Sequence, residues 1–280
     1  MQAILGDYNT LTITRFTESG AYLDGGEGLE ILMPRRYTTA AMHPGDEVRV
    51  FVYLDQENRP VATMETPLAK VGEFACLTVA WLNKHGAFLD WGLMKDLFVP
   101  FSEQSVKMEK GRSYIIYIYV DEVSGRIVGT SKLARHITKN TEALQPHDEV
   151  EILVYKQTDI GYKAIILGPN CEGLLYHNEV FRPLHYGDRL TAYVKKVRED
   201  GNVDLVLQTA GRQHTEDFAV TLLQALQAKP NHFIALSDNS APEDIYDLFG
   251  VSKKTFKRAV GALYKERLII LSDDGIKLAN

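Results

Sequence analysis

The sequence predicts a mainly β chain: three tandem five-stranded β-barrels followed by a C-terminal α+β domain. Three observations carry this prediction. A glycine-led apolar motif occurs three times, a second glycine follows each copy at a nearly constant distance, and near residue 214 the apolar spacing changes from strand-like to helical.

The motif is Gly20-Ala21-Tyr22-Leu23-Asp24, then Gly86-Ala87-Phe88-Leu89-Asp90, then Gly161-Tyr162-Lys163-Ala164-Ile165. Gly45, Gly111 and Gly187 follow the leading glycines after 25, 25 and 26 residues. Each unit closes on a polar turn and a further apolar stretch: Pro60-Val61-Ala62, Arg126-Ile127-Val128 and Val203-Asp204-Leu205. Spacing held to one residue over three copies marks an internal repeat.

Within each unit the apolar residues alternate, as in Leu11-Thr12-Ile13-Thr14, Leu77-Thr78-Val79 and Val150-Glu151-Ile152-Leu153-Val154. That period of two is the signature of strands. Asp24-Gly25-Gly26, Ser124-Gly125 and Asp200-Gly201 separate them as turns. Five short strands in about 65 residues leave no bare edges if they close on themselves, which predicts small closed barrels. The expected boundaries are 1–67, 68–143 and 144–212, with 213–280 as the last domain.

The tail reads differently. Phe218, Leu222, Leu223 and Leu226 share one helical stripe, and 230–240 interrupts it. Pro242-Glu243-Asp244 opens a second helix, with proline and carboxylates suited to a first turn. Phe249-Gly250 ends it, and Ser252 caps a third helix that runs to about Arg267. Leu268 to Leu271 and Ile276 to Leu278 flank Ser272-Asp273-Asp274-Gly275 as a hairpin. This order is that of a winged helix-turn-helix.

Alternation also sorts the faces of the motif strand. Ala87 and Leu89 point one way, Phe88 and Asp90 the other. A lone aspartate belongs in water, so Phe88 lies on the solvated face, and the same logic places Tyr22 beside Asp24. An aromatic on an outer barrel face is a stacking platform for unpaired bases. The third copy carries Lys163 there, a candidate phosphate contact. His85, Arg126, Lys132 and Arg135 surround the Phe88 strand in sequence. Net charge is −6, but residues 70–143 carry +2, the only positive segment. A phosphate-tracking surface is expected there.

The Gly-Ala-Phe-Leu-Asp strand, the glycine turn 25 residues later and the terminal Thr130-Ser131-Lys132 resemble the OB-fold RNA-binding repeat of the ribosomal-protein-S-one type. Three such repeats ahead of a winged helix resemble the bacterial conserved virulence factor B family over essentially the whole chain. The resemblance implies RNA binding and a role in regulating gene expression. Such repeats usually carry an aromatic before the motif glycine, where this chain has Ser19, His85 and Ile160. They carry a second aromatic after it, filled by Tyr22 and Phe88 but by Lys163 in the third copy. Their histidine on the next strand is matched by Pro34 and Pro100, with Tyr176 or His177 in the third copy. No barrel holds the full set, so linkage in tandem is expected to supply avidity.

In the third helix Phe256, Ala259, Val260 and Leu263 form the core side. Lys254, Lys257, Arg258 and Lys265 form the opposite side, open to nucleic acid or to a protein partner. DNA and protein both stay open as partners of this domain.

Other classes find less support. There is no P-loop, zincin, nucleophile-elbow or dinucleotide motif. The pairs Asp46-Glu47, Asp121-Glu122 and Asp273-Asp274 fall at turns, where carboxylates are solvated. Cys76 and Cys171 have no partner pattern for a disulfide or zinc. No apolar run approaches the length of a membrane span, and the first residues lack a secretory signal. The expectation is a cytoplasmic, non-enzymatic single-stranded RNA-binding protein without metal or cofactor. A scaffold on ribosome or RNA polymerase, or an RNA-processing enzyme, are the alternatives.

Overall fold

The computed structural model describes residues 2–180, 183–207, 212–229, 231–272 and 274–279, the side chains of 212–217 excepted. Two compact units divide the chain, residues 1–138 and 139–280.

The first unit holds two closed barrels. One comprises β1 (Tyr8–Thr17), β2 (Gly20–Asp24), β3 (Glu30–Pro34), β4 (Glu47–Leu54) and β5 (Pro60–Thr63). The other comprises β6 (Phe74–Leu82), β7 (Gly86–Asp90), β8 (Leu97–Pro100), β9 (Ser113–Val120) and β10 (Ile127–Thr130). The second unit opens with a third barrel: β11 (Glu149–Thr158), β12 (Gly161–Ile166), β13 (Cys171–Tyr176), β14 (Arg189–Val197) and β15 (Val203–Val206). In each, the third and fifth strands pair in parallel and the first closes on the fourth.

The two glycine marks have different physical causes. A Cβ on Gly20, Gly86 or Gly161 would lie 2.1, 2.3 or 2.0 Å from a carbonyl oxygen of the next strand. These glycines exist because two backbones approach closely. Gly45, Gly111 and Gly187 instead have φ of +100°, +80° and +90°, in turns that enter the fourth strand.

Each barrel buries the alternate residues of its strands, Ala87 and Leu89 among them. The fourth strand of the first barrel departs from alternation: Val50 to Leu54 are buried without a break. Phe51, Tyr53 and Val61 point outward from that barrel and join the core around Leu89, Trp91 and Leu97 of the second. Lys70 Nζ on Asp7 at 2.7 Å and the Val71 N–H on the Gly6 carbonyl at 3.0 Å tie the same junction.

The last domain comprises α1 (Arg212–Ala228), β16 (Phe233–Ile234), α2 (Pro242–Phe249), α3 (Lys253–Lys265), β17 (Ile269–Ser272) and β18 (Gly275–Leu278), with sheet order β16-β18-β17. Pro242 opens α2, Gly250 in the left-handed region ends it, and the Ser252 side chain accepts the Thr255 N–H. Strand β16 lies in the stretch that sequence periodicity marks only as a break. Asp273 of the expected turn pair lies outside the described residues. Among the described residues no helix is long and apolar enough to cross a membrane. No cluster of three or more metal-ligating side chains is found among them.

Candidate nucleic-acid interface

All three barrels share one irregularity. A bulge shifts the register of the first strand between Ile13 and Arg15, between Val79 and Trp81, and between Val154 and Lys156. A bulge admits one extra residue and turns the following side chains to the other face. The residue after it therefore stands outside the barrel, paired with the outward position of the second strand. These pairs are Arg15–Tyr22, Trp81–Phe88 and Lys156–Lys163.

Only the second barrel puts two rings there. Trp81 and Phe88 stack with centroids 3.7 Å apart and planes 3° from parallel. Phe98, opposite Phe88 on β8, adds a third ring at 4.9 Å. The Trp81 indole N–H donates to Asp96 Oδ2 at 2.7 Å, which fixes the ring although it is 42% exposed. The surface is a preformed aromatic platform.

The other two barrels cover the same position with their own side chains. The Arg15 guanidinium lies 3.9 Å above the Tyr22 ring and pairs with Glu30 at 2.7 Å. That hydrogen bond from Arg15 holds the Glu30 carboxyl below the usual carboxylate range, against the opposing effect of burial. Lys163 Nζ is 2.7 Å from Glu172, which also accepts from the Tyr155 hydroxyl. Burial and this carboxylate push the Tyr155 hydroxyl up. The Tyr176 hydroxyl accepts from Arg198, itself paired with Asp204 at 2.5 Å.

Phe88 and Phe98 line a cleft of about 620 Å³ between the second barrel and the β4–β5 hairpin of the first. His85 and Arg126 open onto it, and both are exposed. Neither side chain has an ion pair among the described residues. Lys95 also lines the cleft, and burial pushes its ammonium below the ordinary value. Of the residues predicted from sequence, His85, Phe88 and Arg126 come together here. Lys132 and Arg135 do not line the cleft: Lys132 Nζ donates to the Ser102 carbonyl, and Arg135 is 3.8 Å from Glu103. Tyr22, Lys163 and Tyr176 stand on their own barrels with the partners named above.

Sequence reasoning missed Trp81 and Phe98. Strict alternation from Leu77 and Val79 points Trp81 inward, and only the bulge reverses it. Phe98 was within reach, because buried Leu97 and Val99 flank it and leave it facing outward.

In the winged helix, Phe256, Ala259, Val260 and Leu263 are buried, while Lys254, Lys257, Arg258 and Lys265 are exposed on the far side of α3. Lys257 Nζ lies 3.5 Å from Asp238. A Cβ on Gly261, in the middle of that face, would meet nothing within 4 Å.

A family model described as S1 domain matches residues 5–65, and one described as CvfB-like winged helix domain matches 220–278. The uncharacterized protein YitL of Bacillus subtilis is 30% identical over 269 residues, covering 93% of this chain and 89% of that protein. Conserved virulence factor B of Staphylococcus aureus is 21% identical over 285 residues, covering 98% and 94%. A crystal structure from Streptococcus pneumoniae, described as a multidomain protein with nucleic acid binding domains, is 25% identical over 98% of both chains, with a TM-score of 0.43. The S1 match and the winged-helix match give this chain a nucleic-acid-binding role. With three barrels, a winged helix and the YitL relationship along nearly its whole length, the chain belongs to the conserved virulence factor B family.

Proposed function

We propose that the chain is a non-catalytic, cytoplasmic single-stranded RNA-binding protein that acts in the regulation of gene expression, with the second barrel as its principal reader. The observation that carries this reading is the Trp81–Phe88–Phe98 platform beside His85 and Arg126, which have no ion pair among the described residues. Rings of this kind stack on any exposed base face, while duplex bases are already stacked. Arginine beside the rings supplies the phosphate contact that makes binding salt-dependent. Tyr22 and Lys163, held by partners in the chain, contribute less. The winged helix adds a second contact through its lysines and Arg258, to nucleic acid.

The test is a titration of labelled single-stranded and duplex RNA of equal length, followed by anisotropy and by tryptophan emission. Single strands should bind more tightly and quench the exposed Trp81. Phe88→Ala should weaken binding by about 5- to 150-fold, the range that base–aromatic stacking supports. Equal affinity for duplex and single strand would remove the proposal. A protein-docking role for the tail has one observation in its favour: Ile270 and Leu271 stand exposed on the edge strand β17.

A further inference from the structure

The cleft beside the platform has a wall that does not belong to the second barrel. Gln56 and Asn58, at the tip of the β4–β5 hairpin of the first barrel, face Phe88, Phe98 and Arg126 across it. We infer that this hairpin reads the edge of the base that stacks on the platform, so that Gln56 and Asn58 set base preference at that nucleotide. The inference rests on the single-stranded RNA reading above and adds to it where the specificity lies.

The hairpin is braced by hydrogen bonds of its own and by one from the second barrel. The Asp55 carboxylate accepts the backbone N–H groups of Glu57 and Arg59 and the Arg59 Nε, each at 2.9 Å. Burial works to raise its pKa, but these hydrogen bonds outweigh that and hold it below the usual range. Lys95 Nζ, from the second barrel, donates to the Asp55 carbonyl at 2.6 Å and pins the hairpin to the cleft. Lys95 is thus a positioning residue. Asn58 takes φ of +62°, which turns the tip.

Both side-chain amides are exposed, and neither makes a hydrogen bond among the described residues. By contrast Asn83, on the opposite lip, already accepts the N–H groups of His85 and Gly86. An amide offers one acceptor beside two N–H donors. That pattern matches a base edge, where a ring or amino N–H stands next to an acceptor. A phosphate, which only accepts, would engage the N–H donors and leave the amide oxygen unpaired. The chemistry of the cleft therefore divides: rings for the base face, Arg126 and His85 for the backbone, amides for the edge. The first barrel, whose own outer position is closed by Arg15 over Tyr22, contributes to binding through its neighbour's site.

The experiment compares the full chain with the double variant Gln56→Ala, Asn58→Gly. Glycine at 58 keeps the positive φ. The probes are adenylate, cytidylate and uridylate homopolymers of about 12 nucleotides, a length within the site sizes of such barrels. The wild type should separate its best and worst homopolymer by about 5-fold or more, in line with a bidentate amide–base pair. The double variant should bring the three within about 2-fold while keeping the affinity for the worst one, because stacking remains. Lys95→Met, which frees the hairpin but leaves its amides, should lower the ratio as well. If Phe88→Ala weakens all three homopolymers and the double variant leaves the ratio unchanged, the hairpin inference fails alone. If Phe88→Ala leaves binding intact, the platform reading fails and the hairpin inference with it.

Discussion

Phe51 of the first barrel meets Trp91 of the second edge to face, with ring centroids 6.0 Å apart and planes at 79°. Phe51 is fully buried although it points out of its own barrel, and the Trp91 indole N–H donates to the Lys95 carbonyl at 2.5 Å. One aromatic contact thus joins the two barrels and braces the loop that carries Lys95 to the cleft.

Phe51→Ala should therefore destabilise both barrels. Truncating a buried phenylalanine costs about 3–5 kcal/mol. Denaturant unfolding followed by tryptophan emission, whose two sources Trp81 and Trp91 both lie in the second barrel, should move to lower midpoint although the substitution is in the first. An unchanged tryptophan transition would mean that the barrels fold independently.

The two motif glycines should respond differently to alanine. At Gly86 the new methyl meets the Val99 carbonyl at 2.3 Å, and neither backbone can retreat without opening β7–β8 pairing. A loss of about 1–3 kcal/mol, the usual range for overpacking, is the lower bound. At Gly111 nothing lies within 4 Å and only the positive φ opposes alanine, so the loss should be about 1 kcal/mol. Thermal unfolding of the two variants side by side gives the order; Gly111→Ala as the more damaging change would contradict it.

The contrast between these glycines shows what could be read in advance. Spacing alone located the repeats, because a close backbone crossing and a left-handed turn each exclude other residues. Alternation placed Phe88 outward for the same reason: Ala87 and Leu89 have to fill the barrel. It failed at Trp81, where one inserted residue in β6 reverses the faces and no local sequence marks the insertion. Pairing between distant residues was also out of reach. Nothing near Lys163 in sequence announces Glu172 across the strand pair, and nothing near Tyr22 announces that Arg15 will cover it. The contribution of the hairpin to the second barrel's cleft depends on docking through Phe51, which reads in sequence only as one more apolar residue of an apolar strand.

His136 should make the stability of the first unit pH-dependent. Its ring stacks on Tyr117 at 4.0 Å and lies 5.7 Å from Tyr119. Burial pushes its pKa below the ordinary value, with Arg135 adding to this and Glu103 opposing it. The unfolded chain therefore takes up the proton first as pH falls. The stabilisation is complete above the unfolded value of about 6.5 and is lost as pH drops through the folded value. Between about pH 7.5 and 5.5 the wild type should lose more thermal stability than His136→Gln, since every other histidine is common to both. Parallel pH profiles would show that His136 does not titrate differently in the folded protein.

The winged helix offers the last test, and its outcome separates a second reader from an adaptor. Lys257 and Arg258 are exposed on α3, opposite Phe256, Ala259, Val260 and Leu263, so Lys257→Glu with Arg258→Glu should leave the fold intact. Lys257 does lie 3.5 Å from Asp238, but both side chains are substantially exposed, and such a pair is worth about 0–1 kcal/mol. If this face holds phosphate, the double variant should bind a long RNA more weakly. The dependence of log affinity on log salt should flatten by about 0.7 for each phosphate of a single strand that the variant no longer neutralises. A short oligonucleotide that fills only the cleft at Phe88 should bind as before, because it does not extend to the tail. Should long and short RNAs both bind the variant as they bind the wild type, the basic face is not a nucleic-acid contact. The exposed Ile270 and Leu271 of β17 would then direct the search toward a protein partner.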